Sequence, residues 1–354
     1  MNASTLDRLT DPLDALRRAA IACVVRVPGG REVLRDRDRR VLLHSCFGVA
    51  VAFTMAVFAP GFAYVVGPAA LGVPHIVSEL RFLFARRAVP RVLAGLLAGG
   101  AALLLAMRLA ETVAPRFAVP APVEVSVGWG LGLAGAIVGG VATRRPGRAL
   151  LVGAPTAAIL VAAATHPSLA RLFFAHAHNV ITIAVWLFVF RRRARFAVPA
   201  VLLLAVGAVW LGTGASFAHL DVTSPFVRHF LDEVIQAWPR GMVTQATAVG
   251  LGLVFVFLQG VHYAVWLAWI PQEDVRAEGT TTFRMSLRAL ARDLGAPALA
   301  IAGALTVAVL AASFVSVHRT RGLYLSLATF HGYLEVAALA YALVRGRRDV
   351  GVSA

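Results

Sequence analysis

The sequence predicts an all-α fold, a polytopic membrane helical bundle of about ten transmembrane helices. Three observations predict it. Hydrophobic residues make up 59% of the 354-residue chain and charged residues 15%, against about 45–50% and 25% in soluble domains. Several apolar runs reach roughly 20 residues, the length that crosses a hydrocarbon core. The arginines stand at the ends of those runs rather than along one face. An ordinary soluble core would need no such runs, so lipid is the expected solvent of the surplus apolar surface.

Residues 1–40 read as a basic cytoplasmic arm, in which 14–27 suits an amphipathic helix lying on the inner leaflet. The arm shows no apolar h-region followed by a small-residue cleavage site. The bundle occupies 41–345, with spans at 41–59, 61–85, 90–113, 123–143, 148–165, 170–190, 196–214, 242–270, 295–316 and 321–344. Residues 346–354 are read as a cytoplasmic tail. Between spans, Ser224-Pro225 reads as an N-cap with proline at the first helical position. Phe226, Phe230, Val234 and Trp238 then recur at helical spacing, so 225–238 is expected as an amphipathic helix on the outer surface. Residues 282–294 place Arg284, Arg288 and Arg292 on one face, as an interfacial helix on an anionic inner leaflet would. Gly128, Gly132, Gly135, Gly139 and Gly140 mark a close-packing face in the fourth span.

All 34 basic residues are arginine and the formal net charge is +16. A basic stripe on a soluble face would suit nucleic acid, but these arginines follow membrane topology instead, so no nucleic-acid partner is expected. With the N-terminus inside, inner segments hold 26 arginines and outer segments six, while Arg81 and Arg108 lie within spans. That bias places both termini in the cytoplasm of a bacterial-type inner membrane. Two cysteines, Cys23 and Cys46, imply no disulfide framework.

Ionisable residues inside a bilayer are costly and normally face the bundle interior with a partner. Here they fall on the second span (His75, Glu79), the sixth (His176, His178), the eighth (His262) and the tenth (His331, Glu335). Residues four apart share a helix face, so His75 with Glu79, and His331 with Glu335, each present an imidazole and a carboxylate together. His176 and His178 point to nearly opposite sides, so at most one faces a common site directly. At 1.5 Å per residue, His262 and His75 fall roughly 12 and 15 Å from the inner ends of their spans, and His178 and His331 roughly 20 Å. These groups are therefore expected to converge in one layer inside the bilayer.

Imidazoles with carboxylates suit Fe, Zn, Mn or Cu, and a cation offsets the cost of burying two acids. The expected metal ligands are His75, His176, His178, His262, His331, Glu79 and Glu335, with the two glutamates also serving acid–base chemistry. With no thiolate in the layer, iron or a di-metal centre is favoured; zinc, copper and manganese also fit, and haem between two histidines is the lesser alternative. Tyr263, Trp266, Phe330 and Tyr333 would line an apolar substrate pocket. A lone intramembrane histidine more often bonds a neighbouring helix than a metal, which is the reading for His44. His166, His219, His229 and His318 fall in loops or at span ends and read as solvated. Gly-x-Ser-x-Gly, P-loop and His-Glu-x-x-His motifs are absent from the sequence.

The segment Gly72-Val73-Pro74-His75-Ile76-Val77-Ser78-Glu79 resembles the Gly-x-Pro-His-Gly-x-x-Asp segment of the Brp/Blh family, polytopic membrane enzymes that cleave β-carotene to retinal at a histidine-held iron. The resemblance covers this segment alone. Ile76 stands where that family has glycine, Ser78 where it has aspartate, and its late histidine pair has no counterpart beside His262. It implies one role, His75 as an iron ligand.

The expected function is that of a metal-dependent membrane oxidoreductase, an oxygenase, acting on a lipophilic, lipid- or isoprenoid-like substrate that enters from the bilayer. Two other classes stay open. Gly67-Pro68 and Gly72 with Pro74 punctuate the second span, and a helix broken beside His75 and Glu79 would suit a transporter or channel. A membrane scaffold or assembly factor would use the histidines for packing. Oligomeric state is not legible in the sequence.

Overall fold

The computed structural model describes residues 3–86, 89–190, 195–214, 217, 219–273 and 282–346, with side chains from residue 10 onward. Of the arginines used for topology, Arg87, Arg191, Arg192, Arg193, Arg276, Arg347 and Arg348 lie outside the described residues, as does most of the 346–354 tail. The described residues form thirteen α-helices and no strand. Eight helical segments are long and apolar enough to cross a membrane: Arg37–Phe58, Pro60–Ala85, Arg91–Val113, Ala121–Thr143, Pro146–Thr165, Pro167–Val189, Gln245–Gln272 and Ala296–Arg345. Large apolar side chains are widely exposed, Phe314 at 92% and Val315 at 89% among them. Such a surface in water would aggregate, and it is compatible with an integral membrane protein.

One expected span differs in length. The seventh is the short apolar helix Val198–Gly212. The ninth and tenth expected spans fall in Ala296–Arg345, where two helices meet across a kink at Ser316 (φ −156°, ψ 94°), the residue at which the ninth span was expected to end. The expected turn, Val317-His318-Arg319-Thr320, contains neither glycine nor proline, so helix resumes at once.

The chain divides into two compact units, Met1–Arg81 with Trp186–Ala311, and Phe82–Val185 with Ala312–Ala354. The first unit holds α1 (Ala3–Arg26), α2 (Gly30–Arg35), α3 (Arg37–Phe58), α4 (Pro60–Leu80), α9 (Val198–Gly212), α10 (Pro225–Gln236), α11 (Gln245–Ala264), α12 (Phe283–Leu294) and the start of α13 (Ala296–Arg345). Three glycines of α11 let neighbours close in. A Cβ on Gly250 would meet the Gly212 carbonyl of α9 at 2.7 Å, one on Gly252 would meet Val234 of α10 at 2.7 Å, and one on Gly260 would meet Ala52 of α3 at 2.9 Å. Close approach through small residues is how helices gain packing where lipid offers no hydrophobic drive.

The amphipathic helix expected at 225–238 is α10, ending at Gln236. Its buried stripe is Val227, Phe230 and Val234, and Trp238 lies beyond its end. Ser224 occupies the N-cap with extended dihedrals but without a side-chain cap bond; Pro225 alone starts the helix. The Tyr64 hydroxyl of α4 donates to Glu233 at 2.7 Å, which ties α10 to α4.

The expected interfacial helix is α12, capped by Thr282, whose hydroxyl accepts from Met285 N at 3.1 Å. The amphipathic helix expected at 14–27 is the latter half of α1, which continues back through Pro12. Asp14 accepts from Phe283 N at 2.7 Å and Asp11 pairs with Arg284 at 3.2 Å, so α1 is latched to the first turn of α12. Behind it, Asp293 holds Arg81 at 2.9 Å. Burial pushes the Asp293 carboxyl up, but hydrogen bonds and charge from Arg292 and Arg81 outweigh it and leave it below its ordinary value.

The second unit holds α5 (Arg91–Val113), α6 (Ala121–Thr143), α7 (Pro146–Thr165), α8 (Pro167–Val189) as far as Val185, and the rest of α13. The glycine face of α6 is a packing seam. A Cβ on Gly128 would strike the Tyr333 ring at 2.4 Å, and one on Gly135 the Ala337 carbonyl at 2.3 Å. Ala136, Ala340 and Val344 form the buried cluster beside it.

Candidate metal centre

In the second unit, the spacing of His331 and Glu335 on α13 presents both to α8. His178 Nε2 lies 3.0 Å from His331 Nε2, and His178 Nδ1 lies 3.0 Å from Glu335 Oε2. The two rings are nearly perpendicular, 81° with centroids 4.7 Å apart. Thr182, one turn on from His178, has its hydroxyl 2.8 Å from both Glu335 oxygens and donates to that carboxylate. Glu335 is fully buried, so the hydroxyl offsets part of the cost of holding an acid there. His178, and not His176, therefore makes this approach; His176 turns Nδ1 to the Leu172 carbonyl at 3.0 Å.

The outer nitrogens explain the inner ones. His331 Nδ1 donates to the Ala328 carbonyl, which leaves Nε2 with a lone pair. A carboxylate beside His178 Nδ1 favours the proton there, which leaves its Nε2 with a lone pair as well. Two lone pairs at 3.0 Å repel unless a proton or a metal ion lies between them. Two nitrogens about 2.1 Å from one ion stand about 3.0 Å apart at 90° and about 3.4 Å apart at the tetrahedral angle. The observed spacing fits an N–H···N hydrogen bond between the rings and equally two neighbouring ligands of one ion. A carboxylate or carbonyl on the far nitrogen is also the usual support of a metal-bound histidine.

In the first unit, His75 of α4 and His262 of α11 are both buried and meet edge to face, centroids 4.9 Å apart at 77°. A ring nitrogen of each lies within 4.8 Å of the other. His75 Nδ1 donates to the Leu71 carbonyl at 3.0 Å, again leaving Nε2 as the acceptor. Glu79 lies one turn further along α4 and is fully buried. His and acid groups in the described residues could therefore hold a metal ion.

Of the expected pocket residues, Tyr263 and Trp266 belong to the first unit and Phe330 and Tyr333 to the second. Tyr263 packs on His75, centroids 4.8 Å apart. Trp266 is fully buried and its carbonyl accepts from the Ser78 hydroxyl. Phe330 stands beside His331 at 6.3 Å. Tyr333 belongs to the α6 seam and stacks on Phe174 at 4.2 Å and 9°. Phe174 in turn has its ring 6.1 Å from the His178 imidazole. The helix break expected near Pro68 and Pro74 is not found: α4 runs through both prolines, as buried membrane helices tolerate.

Sequence reasoning missed three features. The His75–Glu79 stretch is followed by a π-helical segment, Arg81–Ala85, and His262 by another, Val265–Trp269. Such widened turns are rare and concentrate at functional sites. The third is an ion triad in the second unit. Arg108 of α5 donates to Glu124 of α6 at 2.7 Å, and Arg171 of α8 donates to the same carboxylate. An acid heading an apolar run was the sole sign of it.

Comparison with protein-family models, with curated proteins and with solved structures finds no match to this chain.

Proposed function

We propose that this protein is an integral membrane metal-dependent oxidoreductase, an oxygenase acting on a lipophilic substrate. The observation that carries the reading is the 3.0 Å approach of His178 Nε2 to His331 Nε2, each ring turned by an acceptor on its far side. Glu335, fixed by Thr182, stands behind His178 and would orient that ring or take its proton. The bound ion, iron by preference, would supply activation of O2 or polarisation of the substrate. The segment around His75 supports iron through its resemblance to the Brp/Blh family. The arginine bias supports a bacterial-type inner membrane with both termini cytoplasmic.

The same histidines and glutamate suit proton relay in a transporter, with a shared proton in place of the ion. Metal analysis of the full-length protein in detergent separates the two. The expected result is about one or two transition ions per chain, lost in His178→Ala and in His331→Ala and kept in His166→Ala. Metal-free wild-type protein, or a content unchanged in both variants, overturns the metal reading; metal-free protein that moves protons in proteoliposomes establishes the relay.

A further inference from the structure

The ion triad of the second unit has more donors than it uses. Glu124 is 3% exposed and takes Arg108 on one oxygen and Arg171 on the other. Glu111, the second partner of Arg108, is 45% exposed and Arg171 is 30% exposed, so solvent screens one charge of each sign. Among the described residues, Arg108 Nε, Arg171 Nε and Trp129 Nε1 are buried without a hydrogen-bond partner. Trp129 itself is 9% exposed. These atoms can only donate, and buried donors normally have an acceptor. What they lack is therefore an acceptor, and two guanidinium N–H groups with an indole N–H suit an oxyanion.

The triad also stands at the head of a path. On α8, Arg171, Phe174, His178 and Thr182 recur at helical spacing and share one face. Phe174 stacks on Tyr333 and stands edge-on to Trp129, 5.5 Å between centroids at 70°. From Arg171 to His178 the rise is about 10 Å. A charged end, an aromatic middle and the His178–His331 pair thus lie along one helix face.

We propose that Arg108, Arg171 and Trp129 bind the oxyanion head, carboxylate or phosphate, of an amphiphile whose apolar body runs past Phe174 toward His178. That this amphiphile is the substrate rests on the metal-centre reading; the head-group site does not.

The test uses full-length protein in maltoside micelles and three probes: decanoate, decanol with the same body but no charge, and acetate or inorganic phosphate with charge but no body. Titration calorimetry is expected to show decanoate binding at least about tenfold tighter than the others, as a charge-assisted contact warrants. Arg171→Gln is expected to weaken decanoate about tenfold, and Arg171→Lys less, because a point charge replaces the fork. Trp129→Phe, which keeps a ring and removes the donor, is expected to weaken it about threefold. Equal binding of decanol, binding of phosphate or acetate as tight as decanoate, or no binding of any probe overturns the site. So does decanoate binding unchanged in Arg171→Gln. Repeating the titration in nanodiscs with and without phosphatidylglycerol identifies the source. Displacement of decanoate by that lipid upholds the oxyanion site and overturns its use by substrate. Metal content is expected to stay at the wild-type level in Arg171→Gln; decanoate selectivity in a metal-free wild type leaves the site standing and removes only the substrate role.

Discussion

His178 and His331 meet tip to tip, Nε2 to Nε2 at 3.0 Å, from positions 153 residues apart in the chain. Their far nitrogens each face an oxygen, Glu335 Oε2 for His178 and the Ala328 carbonyl for His331. The pair is flanked by oxygens, and the contact in front fits either a shared proton or an ion.

Thr182 is the support of that arrangement. Thr182→Val keeps the shape and removes the hydroxyl that donates to Glu335. Metal affinity is expected to fall about 10- to 100-fold, the usual cost of losing a supporting contact. Stability is expected to fall by about 1–3 kcal/mol, because a buried acid loses a donor. A chelator titration and thermal unfolding in detergent measure the two; an unmoved chelator midpoint would count against the centre.

Gly135 and Gly95 should respond oppositely to added bulk. A Cβ on Gly135 falls 2.3 Å from the Ala337 carbonyl, whereas nothing lies within 4 Å of one on Gly95. Gly135→Val is expected to cost about 3 kcal/mol or more, since backbone rather than a flexible side chain must move. Gly95→Ala is expected to be neutral or to stabilise by up to about 1 kcal/mol through helix propensity. Unfolding midpoints of the two variants, read side by side, check the seam.

Asp293 sets an acid limit on the α12 end of the first unit. Its carboxyl lies below the ordinary value because Arg81 and Arg292 outweigh burial. A lowered acid contributes stability that is fully present above its unfolded pKa and fades as pH falls through the folded one. The loss is therefore expected in acid, below the usual carboxylate range, and to be smaller in Asp293→Asn. Unfolding of both proteins across pH 2 to 6 checks the sign; identical acid profiles would remove Asp293 from the account.

Asp14 and Thr282 hold α12 from its two capping sides. Asp14 accepts from Phe283 N and Thr282 from Met285 N. Loss of the threonine cap is expected to cost about 0.5–2 kcal/mol of local stability. Hydrogen exchange at Phe283, Arg284 and Met285 should accelerate in Asp14→Ala and in Thr282→Ala, with α11 unaffected.

Much of this was legible because lipid imposes strict demands on a chain. Apolar runs of bilayer length between arginines mark most of the helices, and the spacing of His331 and Glu335 puts both against His178. The choice between His176 and His178 was not legible, since it depends on which side of α8 meets α13. Glu124 was obscure for the same reason: its partners Arg108 and Arg171 lie 16 and 47 positions away. The boundary at Ser316 was marked by the arginines beyond it, whereas the immediate return to helix was marked only by the lack of a turn former in Val317-His318-Arg319-Thr320.

The π-helical stretch at Val265–Trp269 changes the phase of α11. A turn closed five residues back instead of four absorbs one extra position, and one position is about 100° of rotation. A wheel drawn through His262 therefore cannot be carried unchanged to Trp269. Deleting one residue ahead of Trp269 in this stretch would re-index the downstream side chains as a block, leaving every other amino acid unchanged and turning Trp269 to a different neighbour.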